Sequence, residues 1–342
     1  MAERLRAAVI GCGVGASHAF AYQRNPDVEL VAVCDLDPAA LGRLYARAKI
    51  EPGSLREYAD YHHMLEREAL DLVSVATPDD HHVDPVVDAI ARGAKGILCE
   101  KPLATTLDDA DRIVAAVERS GTPALIDHTR CSEPYYVETR ARLGEGYVGD
   151  LTRIIAYTGG KRAMLFRNTT HQLAAVCFFA QADPVWVIGA LDRGFEAYGT
   201  VYKGHGGQDP ALDPGATLIV EFANGVRALV CASKRTPRGP RIDLLGTRGR
   251  IEVGEQETGA WQSAQDEGDL VPQPVTWTQG QSGTDLGERL VPGVAHLVKM
   301  VRHGEPANSP PQAARHVLEI ILGALRSQAQ GMVPVTLPLP RH

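Results

Sequence analysis

Along the first third of the chain, short apolar runs at Leu5–Ile10, Leu30–Cys34, Leu72–Ala76, Gly96–Cys99 and Ala124–Ile126 alternate with stretches of helical character. Runs of this length, bounded by turn residues, read as fully buried strands. Strands separated by helices predict an α/β fold, a Rossmann-type doubly wound parallel sheet. Ligands of such sheets sit in the crevice beyond the carboxyl ends of the strands. The residues that follow each run are therefore the ones to inspect: Gly11-Cys12-Gly13, Asp35, Thr77-Pro78, Glu100-Lys101-Pro102 and His128-Thr129-Arg130.

Past residue 150 the periodicity changes. Apolar runs now alternate with turns, and Thr217–Phe222 with Val226–Ala232 flank Asn224-Gly225, a hairpin signal. Two helices are expected to close the chain, near Leu290–Arg302 and Gln312–Gln328. In the second, Val317, Ile320, Ile321 and Ala324 form a core-facing stripe. Residues 256–283 read as irregular edge strands and loops around Trp261 and Trp277. The polar stretch Asp192–Gly215, with Tyr198, Tyr202, Lys203 and His205, reads either as a cover for a site or as a solvent loop.

Composition narrows the function classes. With 342 residues, 44% of them hydrophobic and 23% charged, the chain has material for two domains with cores of their own. A formal net charge of −7 leaves no basic footprint for nucleic acid or an anionic membrane, so neither partner is expected. Neither a secretory leader nor a membrane span is expected. Six cysteines are scattered without Cys-x-x-Cys spacing and mostly border apolar runs, as buried thiols of a reducing compartment do, and a cytoplasmic location follows. The doublets His62-His63 and His81-His82 lack the spacing of a helical ligand pair, so no metal site is expected.

The first run leads into Gly11-Cys12-Gly13-Val14-Gly15-Ala16 and then an apolar helix, a G-x-G-x-x-A form of the dinucleotide fingerprint. Gly11 suits a tight turn, Gly13 lets backbone approach a pyrophosphate, and Ala16 permits close packing of helix on strand. Asp35 ends the second run, where an acid binds ribose hydroxyls. Its charge repels a 2′-phosphate and no arginine follows in Leu36-Asp37-Pro38, which favours NAD over NADP. Glu100-Lys101-Pro102, read alone, is a solvated turn. At a strand end in the same crevice, Lys101 reads as a reactive ammonium.

Taken together, Gly11–Ala16, Asp35, Ala76-Thr77-Pro78, His82 and Glu100-Lys101-Pro102 resemble the Gfo/Idh/MocA family of oxidoreductases. The resemblance continues through Gly149-Asp150-Leu151, Leu245–Ile251 and Val333-Pro334-Val335. It implies a dinucleotide-binding domain over residues 1–127. A substrate-binding α+β domain on a large, mostly antiparallel sheet then covers 128–342, the sheet mediating a homodimer or homotetramer. It also implies that Thr77, Pro78, His82, Glu100 and Lys101 join the fingerprint in holding the cofactor, and that Lys101 contacts the reacting hydroxyl. The matching acid/base is His171, which follows Asn168-Thr169-Thr170 and is expected in a capped first helical turn, where the helix end disfavours imidazolium.

One position departs from the family pattern. Where many members carry an aspartate four residues before this histidine, the chain has Arg167, which cannot serve as a base. Arg167 and Arg130, with His128 beside the latter, are expected to hold a substrate, and the two arginines suit a carboxylate or phosphate. Lys161 and Arg162 read as surface charge. The implied reaction is hydride transfer between nicotinamide and a secondary hydroxyl or ketone of a sugar, polyol or sugar acid. Two alternatives go with it: sugar elimination or glycoside cleavage through transient oxidation, and a non-catalytic dinucleotide-binding regulator.

Overall fold

In a computed structural model the chain is described over residues 3–203, 209, 211–266, 268–280 and 285–340. The first part alternates strands β1 (Leu5–Ile10), β2 (Val28–Cys34), β3 (Arg56–Tyr58), β4 (Leu72–Val75), β5 (Gly96–Cys99) and β6 (Ala124–Ile126) with five helices. These are α1 (Gly15–Gln23), α2 (Pro38–Ala48), α3 (Tyr61–Arg67), α4 (Val83–Ala91) and α5 (Leu107–Ser120). All strand pairings are parallel, in the order β3-β2-β1-β4-β5-β6. The chain reverses direction across the sheet between β1 and β4, the switch point at which such sheets bind ligands. Local chemistry supports the helices: Asp37 caps α2 ahead of Pro38, and Thr106 caps α5, which ends on Gly121 at φ 70°.

The chain continues through α6 (Pro134–Gly144), β7 (Leu151–Gly159), α7 (Asn168–Ala180), β8 (Pro184–Leu191), β9 (Ala216–Phe222), β10 (Arg227–Ser233), β11 (Arg241–Gly246), β12 (Gly249–Gly254), β13 (Thr258–Gln262) and β14 (Val271–Gln273). It closes with α8 (Leu286–His303), α9 (Pro311–Ala329) and β15 (Val335–Thr336). Strands β7 to β15 form one nine-stranded sheet, order β14-β13-β12-β11-β7-β10-β9-β8-β15, in which only the β7–β10 pair is parallel. The expected hairpin is β9–β10, turning at Gly225 with φ 82°. Alternation along β7 and β10 buries Ile154, Ala156, Ala228 and Val230 and leaves Ile155 and Leu229 exposed on the other face. Trp277 is buried and donates from Nε1 to Thr139 Oγ1 at 3.2 Å, fastening the expected irregular edge segment to α6.

The chain divides into two compact units, residues 1–132 with 284–315, and 133–283 with 316–342. A cut at residue 127 therefore misplaces α8. Its Leu290, Val294, Leu297 and Val298 are buried in the same core as Ala16, Ala19, Phe20, Leu72 and Leu98 of the first unit. Helical periodicity shows that α8 has an apolar face but not which sheet that face covers. Helix α9 crosses from one unit to the other, and its stripe Val317, Ile320, Ile321 and Ala324 is buried as expected.

Candidate active site

The loop between β1 and α1 is shaped by contact with β4. Gly11 has φ 89°, and a Cβ there would lie 2.4 Å from the Ala76 carbonyl oxygen, so only glycine fits both the turn and the approach. Above Gly13 nothing lies within 4 Å, whereas a Cβ on Gly15 would meet Val9 Cγ1 at 2.7 Å. Gly15 thus shares with the buried Ala16 the close packing of helix on strand. Val14 stands at the N-cap of α1, and no side chain caps that end. A helix start of this kind presents backbone N–H groups and a positive dipole to an anion.

Asp35 is tied to this loop. Its Oδ2 accepts from Cys12 N at 2.6 Å and its Oδ1 from Asp37 N at 2.8 Å, leaving further lone pairs on each oxygen for hydroxyl donors. Cys12 contributes its backbone rather than its thiol, since burial and then the Asp35 charge push the thiol up to about 12. Among the described residues all the cysteines are free thiols.

Two residues assigned to ligand contact lie in the interior instead. His82 is fully buried, its Nδ1 2.8 Å from Pro102 O and its Nε2 3.0 Å from Thr77 O, so it clips the β4 loop to the Lys-Pro step. Thr77 and Pro78 remain on the surface of that loop. His128 is 1% exposed with Nδ1 3.0 Å from Ser309 Oγ, and burial followed by the Lys101 charge lowers it to about 3, which keeps it neutral. Arg130 is buried as well, in a short 3-10 turn, Thr129–Ser132.

Glu100 also turns inward. Its Oε1 lies 3.2 Å from His18 Nε2 and its Oε2 accepts from Lys101 N at 3.1 Å. Lys101 itself is 8% exposed, and the Lys101–Pro102 bond is cis. The lysine that ends β5 is therefore largely desolvated at the rim of a buried ionic group, not a surface charge.

In the second unit, α7 begins at Asn168 and lacks the expected side-chain cap. Asn168, Thr169 and Thr170 lie inside its first turn, Arg167 occupies the N-cap without a side-chain cap, and the Thr170 hydroxyl donates to Arg167 O at 2.7 Å. His171 follows, partly exposed. The helix is held in place by Gln172, whose amide donates to Tyr157 O at 3.0 Å and Arg241 O at 2.9 Å. Just before Arg167, Phe166 N donates to the fully buried Asp213 at 3.1 Å. This pins one end of the 192–215 loop beside the helix start. Tyr198 of that loop is buried and accepts from Lys203 N at 3.0 Å, and His205 lies outside the described residues.

Lys161 and Arg162 are both exposed, as expected of surface charge. Some loss of hydration, followed by the neighbouring charges of Arg167 and Arg238, lowers the Arg162 guanidinium from its usual value.

A parallel sheet with a glycine fingerprint at its switch point, an acid on the second strand and a desolvated lysine on the fifth defines a dinucleotide-dependent oxidoreductase. The family model described as oxidoreductase family, NAD-binding Rossmann fold (GFO_IDH_MocA) matches residues 5–128, and that of the GFO/IDH/MocA C-terminal domain matches residues 124–252. The chain belongs to this family.

It is similar to D-apiose dehydrogenase of Paraburkholderia graminis, 34% identical over 43% of this chain and 38% of that protein. Over all of this chain and 98% of the relative it is 26% identical to scyllo-inositol 2-dehydrogenase (NAD(+)) of Bacillus subtilis. The crystal structure of an oxidoreductase domain protein from Kribbella flavida shares the fold, with TM-score 0.82 and 18% identity over 99% of this chain and 100% of that one. Among the described residues no helix is long and apolar enough to cross a membrane.

Proposed function

We propose that this protein moves hydride between NAD and a secondary carbinol of a sugar, polyol or sugar acid. The observation that carries the reading is the placement of the buried Lys101 at the end of β5, in the same sheet crevice as the fingerprint loop and Asp35. The cofactor is not present in the structure. The residues fit it: an uncapped helix start for the pyrophosphate, open space over Gly13, and a carboxylate with spare lone pairs for the ribose diol. When bound, the nicotinamide supplies the hydride acceptor. Lys101 then hydrogen-bonds the substrate hydroxyl and stabilises the alkoxide charge as it develops, and His171 accepts the proton. The full-length similarity to an inositol dehydrogenase supports a polyol-like substrate.

A panel of inositols, sugars and sugar acids assayed for NADH formation tests this reading. With the best substrate, kcat/KM for NAD should exceed that for NADP by about tenfold or more, because a 2′-phosphate beside Asp35 costs on the order of 1–3 kcal/mol. Asp35→Ala should narrow the gap. Preference for NADP in the wild-type protein contradicts the assignment.

Arg167 at the N-cap of α7 favours a substrate that carries a negative group. A charge-assisted hydrogen bond is worth about 1.5–3 kcal/mol, so Arg167→Met should raise KM for a sugar acid roughly 10- to 100-fold. For a neutral polyol KM should change little, and equal effects on both count against a carboxylate clamp.

A further inference from the structure

Beneath Lys101 lies a group of buried ionisable side chains that the reaction above does not use. His18, Glu100 and Asp127 bring one nitrogen and two carboxyl oxygens within 4.8 Å of one another, and none of the three side chains is more than 8% exposed. Ser74 Oγ donates to the Tyr22 hydroxyl at 2.8 Å and so accepts from His18 Nδ1 at 3.1 Å. His18 Nε2 then faces Glu100 Oε1 at 3.2 Å, a contact that needs a proton between the two atoms. Glu100 and Asp127 hold carboxyl oxygens within 4.8 Å of each other in this buried group, and two carboxylates so close and so poorly solvated resist ionising together, which favours a proton on one of them.

We propose that Asp127, packed beside Glu100 and His18, is a buried proton-holding switch whose charge state sets the field at the Lys101 ammonium, so that Asp127 and His18 act as positioning residues. The proposal rests on the assignment of Lys101 given above. With Asp127 neutral, Glu100 alone places a carboxylate charge under Lys101, and more of the ammonium field reaches a substrate oxygen. When Asp127 ionises, a second carboxylate draws that charge inward. The effect is electrostatic, and no proton passes from the cluster to substrate.

The surrounding groups agree with this arrangement. From α1 come His18 and the Tyr22 phenol, which burial holds protonated; from the end of β5 come Lys101 and the Cys99 thiol, also protonated through burial. His128 beside Asp127 is neutral, and His82 acts on Glu100 from the β4 loop. Burial and then the Glu100 charge raise Asp127 to about 7. Burial opposes the ionisation of Glu100 too, but the His18 hydrogen bond and the fields of His18, Lys101 and His82 outweigh it, so Glu100 stays charged.

Infrared pH-difference spectra of the full-length protein read the carboxylic acid C=O stretch directly. One band should bleach with a midpoint near pH 7, and it should be missing in Asp127→Asn, whose amide keeps the size and shape of the carboxyl. In Lys101→Met the midpoint should move to higher pH, because the Lys101 charge lowers Asp127 and the coupling is reciprocal. In turnover, wild-type kcat should fall through this pH range relative to Asp127→Asn with KM unchanged, and Asp127→Glu should restore the fall.

No such band in the wild-type protein, or a midpoint unmoved by Lys101→Met, overturns the proposal. So does a stoichiometric metal ion that copurifies and is lost in His18→Asn. The infrared titration needs no substrate. If it behaves as expected while no polyol yields NADH, the functional reading alone fails; if NADH forms and the midpoint stays still, this proposal alone fails.

Discussion

Lys101→Met should lower kcat by about 10²–10³-fold, or roughly 2.7–4 kcal/mol of transition-state stabilisation, and leave the dissociation constant for NADH little changed. The size follows from where the ammonium sits. A largely buried donor acts in a low dielectric, where a charge aimed at a developing alkoxide is worth far more than the same contact in water. The cofactor contacts proposed for the fingerprint loop and Asp35 lie on β1, β2 and α1, so removing Lys101 leaves them in place. Methionine fills much of the volume of the lysine stem, and thermal melting should stay close to wild type. Stopped-flow measurement of hydride transfer with a saturating substrate gives the decisive rate. Near-wild-type turnover sinks the catalytic role of Lys101, and with it the reading of the β5 end as the reaction centre.

Strand ends were the legible part of this molecule. Five of the six strands in the parallel sheet are apolar runs long enough to recognise, and their carboxyl-terminal residues lie where doubly wound topology puts them. The sixth, β3, is Arg56-Glu57-Tyr58, an edge strand with no apolar run to betray it. What sequence could not supply was the direction of each side chain. Glu100, His82 and His128 occupy the predicted loops, yet all three turn into the interior, each toward a partner distant in sequence: His18, Pro102 and Ser309. His18 itself reads as one more position on a buried helix and carries no periodic signal of its own. The missing cap of α7 has a related cause. Asn168 and the two threonines are good cap residues, but the chain ahead of them is held by Asp213, some 47 positions away, and tertiary contacts moved the helix start forward.

His171→Asn should lower kcat for polyol oxidation by about 10²–10⁴-fold, with KM and thermal stability close to wild type. Few other groups could take the proton. A guanidinium is not a base, so Arg167, at the position that is aspartate in many relatives, offers none here. The other histidine assigned to the substrate, His128, is buried against Ser309 in the first unit. His171 is partly exposed in the first turn of α7, a helix locked to β7 and β11 through Gln172, so its imidazole is both accessible and held in place. Asparagine keeps polarity at this position but cannot accept a proton in the working pH range. Residual turnover of the variant should therefore climb with pH as hydroxide replaces the missing base, and added imidazole should restore part of the rate. Neither response is expected if His171 serves only the helix, because the Gln172 hydrogen bonds survive the substitution. An unchanged kcat, or a fall that neither pH nor imidazole relieves, assigns the proton to another group and separates the role of His171 from that of Lys101.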